Sequence, residues 1–317
     1  MIIHFILSGE TLESISEKIH LENPKHLKEY HNQRCSAHDY IHENLIPGKR
    51  LFVPNIEEIR NFNLLNDAPF KSPELNPVLN FEPKNFSKIY FVRITEEKEK
   101  DGETKDNTLT YTASVKWIET IGNQHTFYLY KNNFTDGQSS KMADLAMESI
   151  RSLNPLIIKT DLKGKLMNVS LKEETIKNFN KIKERLLDLF PDQYAEMYIK
   201  EFEIAVLNQE LFNKRMQDDP FIKNYFAPVR SSFTNGKSFY DQKIEDKVIT
   251  VQQKVEDVNY TSEIVLLQNV FSISEADFNG KYTLYTQTGI VKKADLYYDI
   301  SLYGVKYSTF FSFDELS

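Results

Sequence analysis

Cysteine is nearly missing from this 317-residue sequence, which holds only Cys35. An intrachain disulfide is therefore excluded, and the usage fits a reducing compartment. No apolar run approaches the ~18 residues that a membrane-spanning helix requires, so no membrane insertion is expected. Positive charge is not in excess either: 39 Lys and Arg stand against 46 Asp and Glu, a formal net charge of −7. The basic residues are dispersed among acidic ones, which argues against nucleic acid or an anionic membrane as partner. Enzymatic signatures are absent as well. There is no Gly-x-Ser-x-Gly elbow, no His-Glu-x-x-His pair, no phosphate-cradling glycine loop and no Cys-x-x-Cys. Beyond residue 42 the only histidine is His125, inside a predicted strand, where it reads as a cross-strand or exposed residue. Neither enzymatic activity nor a cofactor nor a bound metal is expected.

What is present is patterned from the first residues. Ile2, His4, Ile6 and Ile3, Phe5, Leu7 alternate as a strand does, and Gly9-Glu10-Thr11-Leu12 reads as a turn. Leu12, Ile15 and Ile19 then share one helical face. Asn23-Pro24 reads as an N-cap with proline at the first helical position, opening a second helix that carries Leu27 and Tyr30. Pro47-Gly48 gives a tight turn into Leu51-Phe52-Val53-Pro54. Turn chemistry, periodicity and order agree on a strand-helix-helix-strand unit over residues 1–55.

These residues resemble the lysin motif (LysM), a small β-α-α-β module known for binding N-acetylglucosamine polymers such as peptidoglycan. The resemblance implies a groove between the turn after the first strand and the loop before the last. Its candidate binding residues here are Ser8, Gly9, Glu10, Thr11, Leu12, Ile46, Pro47 and Gly48. Two departures lie beside that groove: Glu10 stands where the family usually has Asp, and the link from His31 to Leu45 is longer than usual. A match beginning at Met1 also leads us to expect no signal peptide and synthesis as a cytoplasmic protein.

That longer link contains His31, Cys35, His38, Asp39 and His42. Ligands three or four apart share a helical face and approach a zinc-site spacing, but paired ligands flanking a turn on each side are missing. The favoured reading is that His31 ends the second helix while Cys35 and Ile41 fill the enlarged loop.

Residues 56–86 read as a linker, with Pro69, Pro73, Pro77 and Pro83 in an Asn-rich stretch that favours extended chain over helix. From residue 87 to 317 the pattern is that of an antiparallel-sheet domain. Strands are expected at Ile89 to Ile94, at Leu109 to Trp117 with strict alternation, and at His125 to Lys131. The charged EEKEKDGETKD stretch is read as a solvated hairpin tip. Met142, Leu145, Ala146 and Ile150 share a helical face, and Leu156 begins a strand with a tight turn around Gly164. Ser170-x-x-Glu173 reads as a capping box opening a helix through Phe190. A broad apolar helix is expected from Asp192 to Met216, with burial on more than one side. Strands return at Val248 to Val255, Tyr260 to Leu267, Tyr282 to Thr286 and Leu296 to Phe313, bending at Gly304. Tyr297, Tyr298, Tyr303, Tyr307, Phe310 and Phe311 are read there as core or cross-strand packing. This order, closing around Gly289-Ile290-Val291, resembles the curved half-barrel of lipoprotein-carrier-like domains wrapped around helices.

The fold class is therefore α+β: a small β-α-α-β domain followed by a larger domain with a curved antiparallel sheet packed on helices. The function expected is that of a non-enzymatic adaptor or structural component of a bacterial contractile injection apparatus, of the type VI or phage-tail kind. It would dock onto a spike, tube, baseplate or effector protein and be exported, if at all, with that apparatus. The alternative is a peptidoglycan-binding accessory protein or wall-directed effector. A carrier of a hydrophobic ligand is a third reading.

Overall fold

Both faces of the first strand stay largely open to solvent, and the core of the N-terminal unit begins just after it, at Ile6. The computed structural model describes residues 2–137, 140–244, 247–256, 262–271, 276–302 and 304–316. Strand β1 (Ile2–Phe5) pairs antiparallel with β2 (Arg50–Val53), His4 opposite Leu51 and Phe5 opposite Arg50. Ile6, Leu51 and Val53 are buried against Ile15 of α1 (Leu12–Lys18) and Leu27 of α2 (Pro24–Asn32). Thr11 and Ser14 form a capping box at the start of α1, and Asn23 caps α2 with Pro24 at its first turn. The expected order of strand, helix, helix, strand is the order found.

The start of the stretch expected as an extended linker is helical instead. Helix α3 (Ile56–Leu64) opens on a capping box between Asn55 and Glu58. The prolines begin only at Pro69, so nothing bars a helix before it. Ile59 joins the core, Phe62 stacks on His26, and Asn63 accepts the Glu22 amide and donates to the His20 carbonyl. The chain divides into one unit of Met1–Pro77 with Thr234–Gly236 and a second of Val78–Phe233 with Lys237–Ser317.

The second unit is built on an eleven-stranded antiparallel sheet. Its strands in chain order are β3 (Ser87–Lys100), β4 (Glu103–Ile121), β5 (Gln124–Asp136), β6 (Leu156–Asp161), β7 (Leu166–Leu171), β8 (Ser238–Ile244), β9 (Lys247–Val255), β10 (Glu263–Val270), β11 (Ala276–Tyr285), β12 (Val291–Leu302) and β13 (Val305–Glu315). Across the sheet they run β7-β6-β5-β4-β3-β13-β12-β11-β10-β9-β8. Strands β3 and β4 continue straight through the charged stretch read as a loop tip, leaving Asp101-Gly102 as the turn, both with positive φ. That pair of dihedrals suits a two-residue hairpin, whose twist matches the strands.

Helix α4 (Lys141–Ser152) lies between β5 and β6, and α5 (Glu173–Lys177), α6 (Phe179–Leu189), α7 (Gln193–Leu207), α8 (Gln209–Gln217) and α9 (Pro220–Tyr225) lie between β7 and β8. Two helix readings need correction. Ser170 is no N-cap: it lies in β7 opposite Ile157, and α5 begins at Glu173 without a side-chain cap. The long helix predicted from Asp192 breaks at Asn208, whose extended backbone lets its side chain accept the Leu211 amide and start α8. Tyr260 and Tyr303 lie outside the described residues.

The buried face of the sheet carries Tyr90, Val92, Ala113, Val115, Phe127, Leu129, Phe311 and Phe313. Phe221 and Tyr225 of α9 pack on Tyr90 and Phe313. Within the stretch expected as a linker, Leu79 and Phe81 are buried, whereas Leu64 and Leu65 are exposed. Arg230, also buried, stacks over Phe81 and donates through Nε to the Gly289 carbonyl at 2.6 Å. Gly289 has a positive φ, and a Cβ there would collide with the Asn80 carbonyl oxygen. Glycine is required at that crossing.

Candidate functional site

The two turns named from the sequence are brought side by side. The Gly48 amide donates to the Ile6 carbonyl at 2.8 Å and the Ile6 amide to the Lys49 carbonyl at 3.0 Å, which ties the strand end that leads into residues 8–12 to the end of the 46–48 turn. Gly9 and Gly48 both have positive φ, as these tight turns demand, and open space where a Cβ would be. Ser8, Gly9, Thr11, Ile46, Pro47 and Gly48 are exposed, while Leu12 packs on the core.

Glu10 points back into the turn. Its Oε2 accepts the Leu7 amide at 2.9 Å and meets His4 Nε2 at 2.7 Å, while Oε1 accepts from Lys18 at 2.7 Å. The carboxylate side chain is only 8% exposed. The Leu7 amide, then Lys18 and His4, pull its pKa down to about 2. Thr11 is engaged as well, its hydroxyl accepting the Ser14 amide while its own amide donates to Ser14 Oγ. What surrounds these self-satisfied polar groups is apolar: Phe5 and Leu7 are each 61% exposed and Ile46 55%. Ile3, opposite Phe52, continues the exposed face of β1.

The His/Cys-bearing loop is held by hydrogen bonds. The Phe52 amide donates to His31 Nδ1 at 3.0 Å, so Nε2 carries the proton and donates to the Asp39 carbonyl at 2.8 Å. Both ring nitrogens of this buried imidazole are taken. Asn32 clasps the same loop through the Ile41 amide and carbonyl, and Ile41 is buried. Among the described residues, no group of three or more His, Cys, Asp or Glu is placed to hold a metal ion.

In the second unit two adjoining cavities of about 520 and 220 Å³ share Glu96 and Asn107. The larger has Tyr298, Ile300 and Tyr307 beside Lys98 and Lys105; the smaller runs from Ile94 and Tyr111 to Ile150 of α4. At its wall Lys131, buried on β5, pairs with Asp219, whose other oxygen caps α9 through the Phe221 and Ile222 amides. Burial and then the Asp219 charge hold the Tyr111 hydroxyl protonated, its pKa well above the usual range. Asn107 Oδ1 is buried without a hydrogen-bond partner among the described residues. The trough is thus apolar and aromatic with a polar rim, a form suited to an amphipathic ligand.

Sequence reasoning missed this trough, although one signal was legible. Alternation that buries Phe127 and Leu129 places Lys131 on the same face, and an inward lysine needs a partner. His125, at the other end of that face, is buried edge-on to Phe81, with Nδ1 2.7 Å from the Thr120 hydroxyl. Burial lowers its pKa.

No protein-family profile matches the sequence, and no curated protein matches it. Among solved structures, the chain is similar at 8% identity and a TM-score of 0.37 to one described as lipid-protein interactions in lipovitellin. That match covers 73% of this chain but only 25% of the other. A DUF1329 family protein from Desulfovibrio piger is similar at 9% identity and a TM-score of 0.20, over 74% of this chain and 89% of that one. A putative outer membrane lipoprotein-sorting protein domain from Vibrio parahaemolyticus follows at 7% identity and a TM-score of 0.20, over 73% and 86%.

Proposed function

We propose that the chain is a non-enzymatic docking protein, an adaptor or structural component of a bacterial contractile injection apparatus of the type VI kind. Its LysM-like N-terminal module would seat on a spike, tube, baseplate or effector protein. One observation carries this reading. The polar groups of the two turns, Glu10 above all, are engaged within the module, while Phe5, Leu7 and Ile46 stand exposed around them. A sugar polymer is gripped through hydrogen bonds that such a surface offers sparingly; an apolar patch rimmed by polar residues suits a protein partner.

Affinity purification from the native host tests it, followed by identification of the co-purifying proteins and by sedimentation with purified peptidoglycan. Recovery of secretion-apparatus components without sedimentation supports docking. Sedimentation with peptidoglycan, weakened by Thr11 or Gly48 substitutions that leave the chain folded, supports wall binding instead and overturns it.

The trough favours a second reading, a carrier of a hydrophobic ligand. Its apolar floor of Tyr298, Ile300 and Tyr307 and its volume are of the size that small amphipathic molecules fill. A native mass spectrum of gently purified protein without added mass counts against it.

A further inference from the structure

Along the trough the inward side chains change character rung by rung. Residues directly opposite each other on antiparallel neighbours share one face, so each rung reads across β4, β3, β13 and β12. The outermost rung holds Lys105, Lys98, Tyr307 and Ile300, and the next holds Asn107, Glu96, Thr309 and Tyr298. Both line the larger cavity. The third rung begins with Leu109 and Ile94, which line the smaller one. Cations thus give way to hydrogen-bonding groups and these to hydrocarbon. Glu97 and Asp106, also at the larger cavity, fall on the alternate positions and belong to the other face of the sheet.

Two features of this ladder call for a ligand. Lys98 and Lys105 stand directly opposite each other, where like charges repel, and Lys98 leans over the Tyr307 ring at 5.5 Å rather than toward an acid. An anion between the two ammonium groups relieves that repulsion. One rung further in, Asn107 Oδ1 is buried without a hydrogen-bond partner among the described residues, opposite Glu96. Both offer acceptors, so a donor arriving there satisfies them. Beyond them the smaller cavity runs from Ile94 and Leu109 to Ile150 and Pro220. Its 220 Å³ is room for about seven groups of a water molecule's ~30 Å³, enough for one short chain.

We propose that the trough binds an amphiphilic acid with a hydrogen-bond donor next to its head and a single apolar chain, in chemical class an N-acyl amino acid. The carboxylate lies between Lys98 and Lys105, the N–H at Asn107 and Glu96, and the chain points toward Ile150. The reverse orientation fails, because Lys131 at the inner end is already paired with Asp219 and leaves the acid no free cation there. This rests on the trough being a carrier site and names the class of ligand it carries.

Isothermal titration calorimetry of the full chain with N-decanoylglycine and with its uncharged methyl ester tests it. The acid should bind about tenfold more tightly than the ester, as two solvent-facing lysines allow, and added salt should narrow the difference. Lys98→Gln combined with Lys105→Gln, both at exposed positions, should abolish the preference for the acid with unchanged circular dichroism. Asn107→Leu should weaken N-decanoylglycine severalfold, and Ile150→Glu should weaken acid and ester alike. An ester that binds as tightly as the acid, or a preference that survives the double lysine substitution, would overturn the proposal and leave the carrier reading standing. Unchanged affinity in Asn107→Leu would overturn the donor contact. Failure of both compounds to bind at millimolar concentration would overturn the carrier reading together with the proposal.

Discussion

The Glu10 carboxylate accepts the Leu7 backbone amide over 2.9 Å, so this acidic residue fastens the turn it belongs to. Lys18 and His4 complete its shell. The sign of its pH dependence follows. A carboxylate whose folded pKa is about 2 against 4.5 contributes stability that is complete above about pH 4.5 and is lost as pH falls toward 2. Glu10→Gln should lower the protection of the Leu7 amide against hydrogen exchange at neutral pH. The difference from wild type should shrink below about pH 4.5 and be gone near pH 2. A constant difference across that range would contradict the assignment.

At the crossing of Arg230 and Gly289 the backbone itself is constrained. Gly289→Ala adds a Cβ that collides with Asn80 and forces a positive φ on a residue that disfavours it. A loss of about 3 kcal/mol in urea unfolding is expected. Gly304→Ala shares the positive φ but meets open space, and should cost about 1 kcal/mol.

Two buried phenols supply an alkaline limit. Tyr90 and Tyr225 share a 3.0 Å hydrogen bond, and Tyr90 also donates to the Val291 carbonyl. Burial raises both pKa values. In the unfolded chain tyrosine ionises near pH 10, so the unfolded state sheds protons first and stability falls as pH rises past about 10. Tyr225→Phe should cost about 1 kcal/mol and Tyr90→Phe more, because the latter strands both the Tyr225 hydroxyl and the Val291 carbonyl. Chemical denaturation at pH 7 and pH 10.5 reads both effects.

Surface substitutions separate docking from folding. Phe5→Asp and Leu7→Asp should change stability by less than about 0.5 kcal/mol, since both side chains already face solvent. Each should nonetheless deplete the proteins recovered with the chain from its native host. Recovery unchanged by both would remove this face from the docking surface.

The elements legible in the sequence are those with one wet and one dry face. The alternation from Leu109 to Trp117 lies inside β4, and Asn23-Pro24 caps α2 as read. Strand β8 escaped because its inward positions include Ser238, Tyr240 and Gln242, which do not stand out as apolar. Ser170 misled because its spacing to Glu173 also occurs where a strand runs into a helix. Asn208 breaks α7 from α8 through a side-chain cap that helical periodicity cannot register. Of the candidate sites, the two N-terminal turns were visible because each is a local glycine turn. The trough was not, because Asn107, Lys131 and Tyr298 become neighbours only through the order of strands in the sheet.

Strand β3 is paired on one side with β4, the next strand in the chain, and on the other with β13. Lys88 of β3 meets Glu315 of β13 across a separation of 227 residues. On the ribosome, the hairpin of β3 and β4 therefore waits with one bare edge until β13, some 227 residues further along, has been made. Open strand edges invite foreign pairing, and contacts this distant form late. The run of charge at the outer end of that hairpin, Glu96 to Lys100, is where a nascent chain is guarded against such pairing.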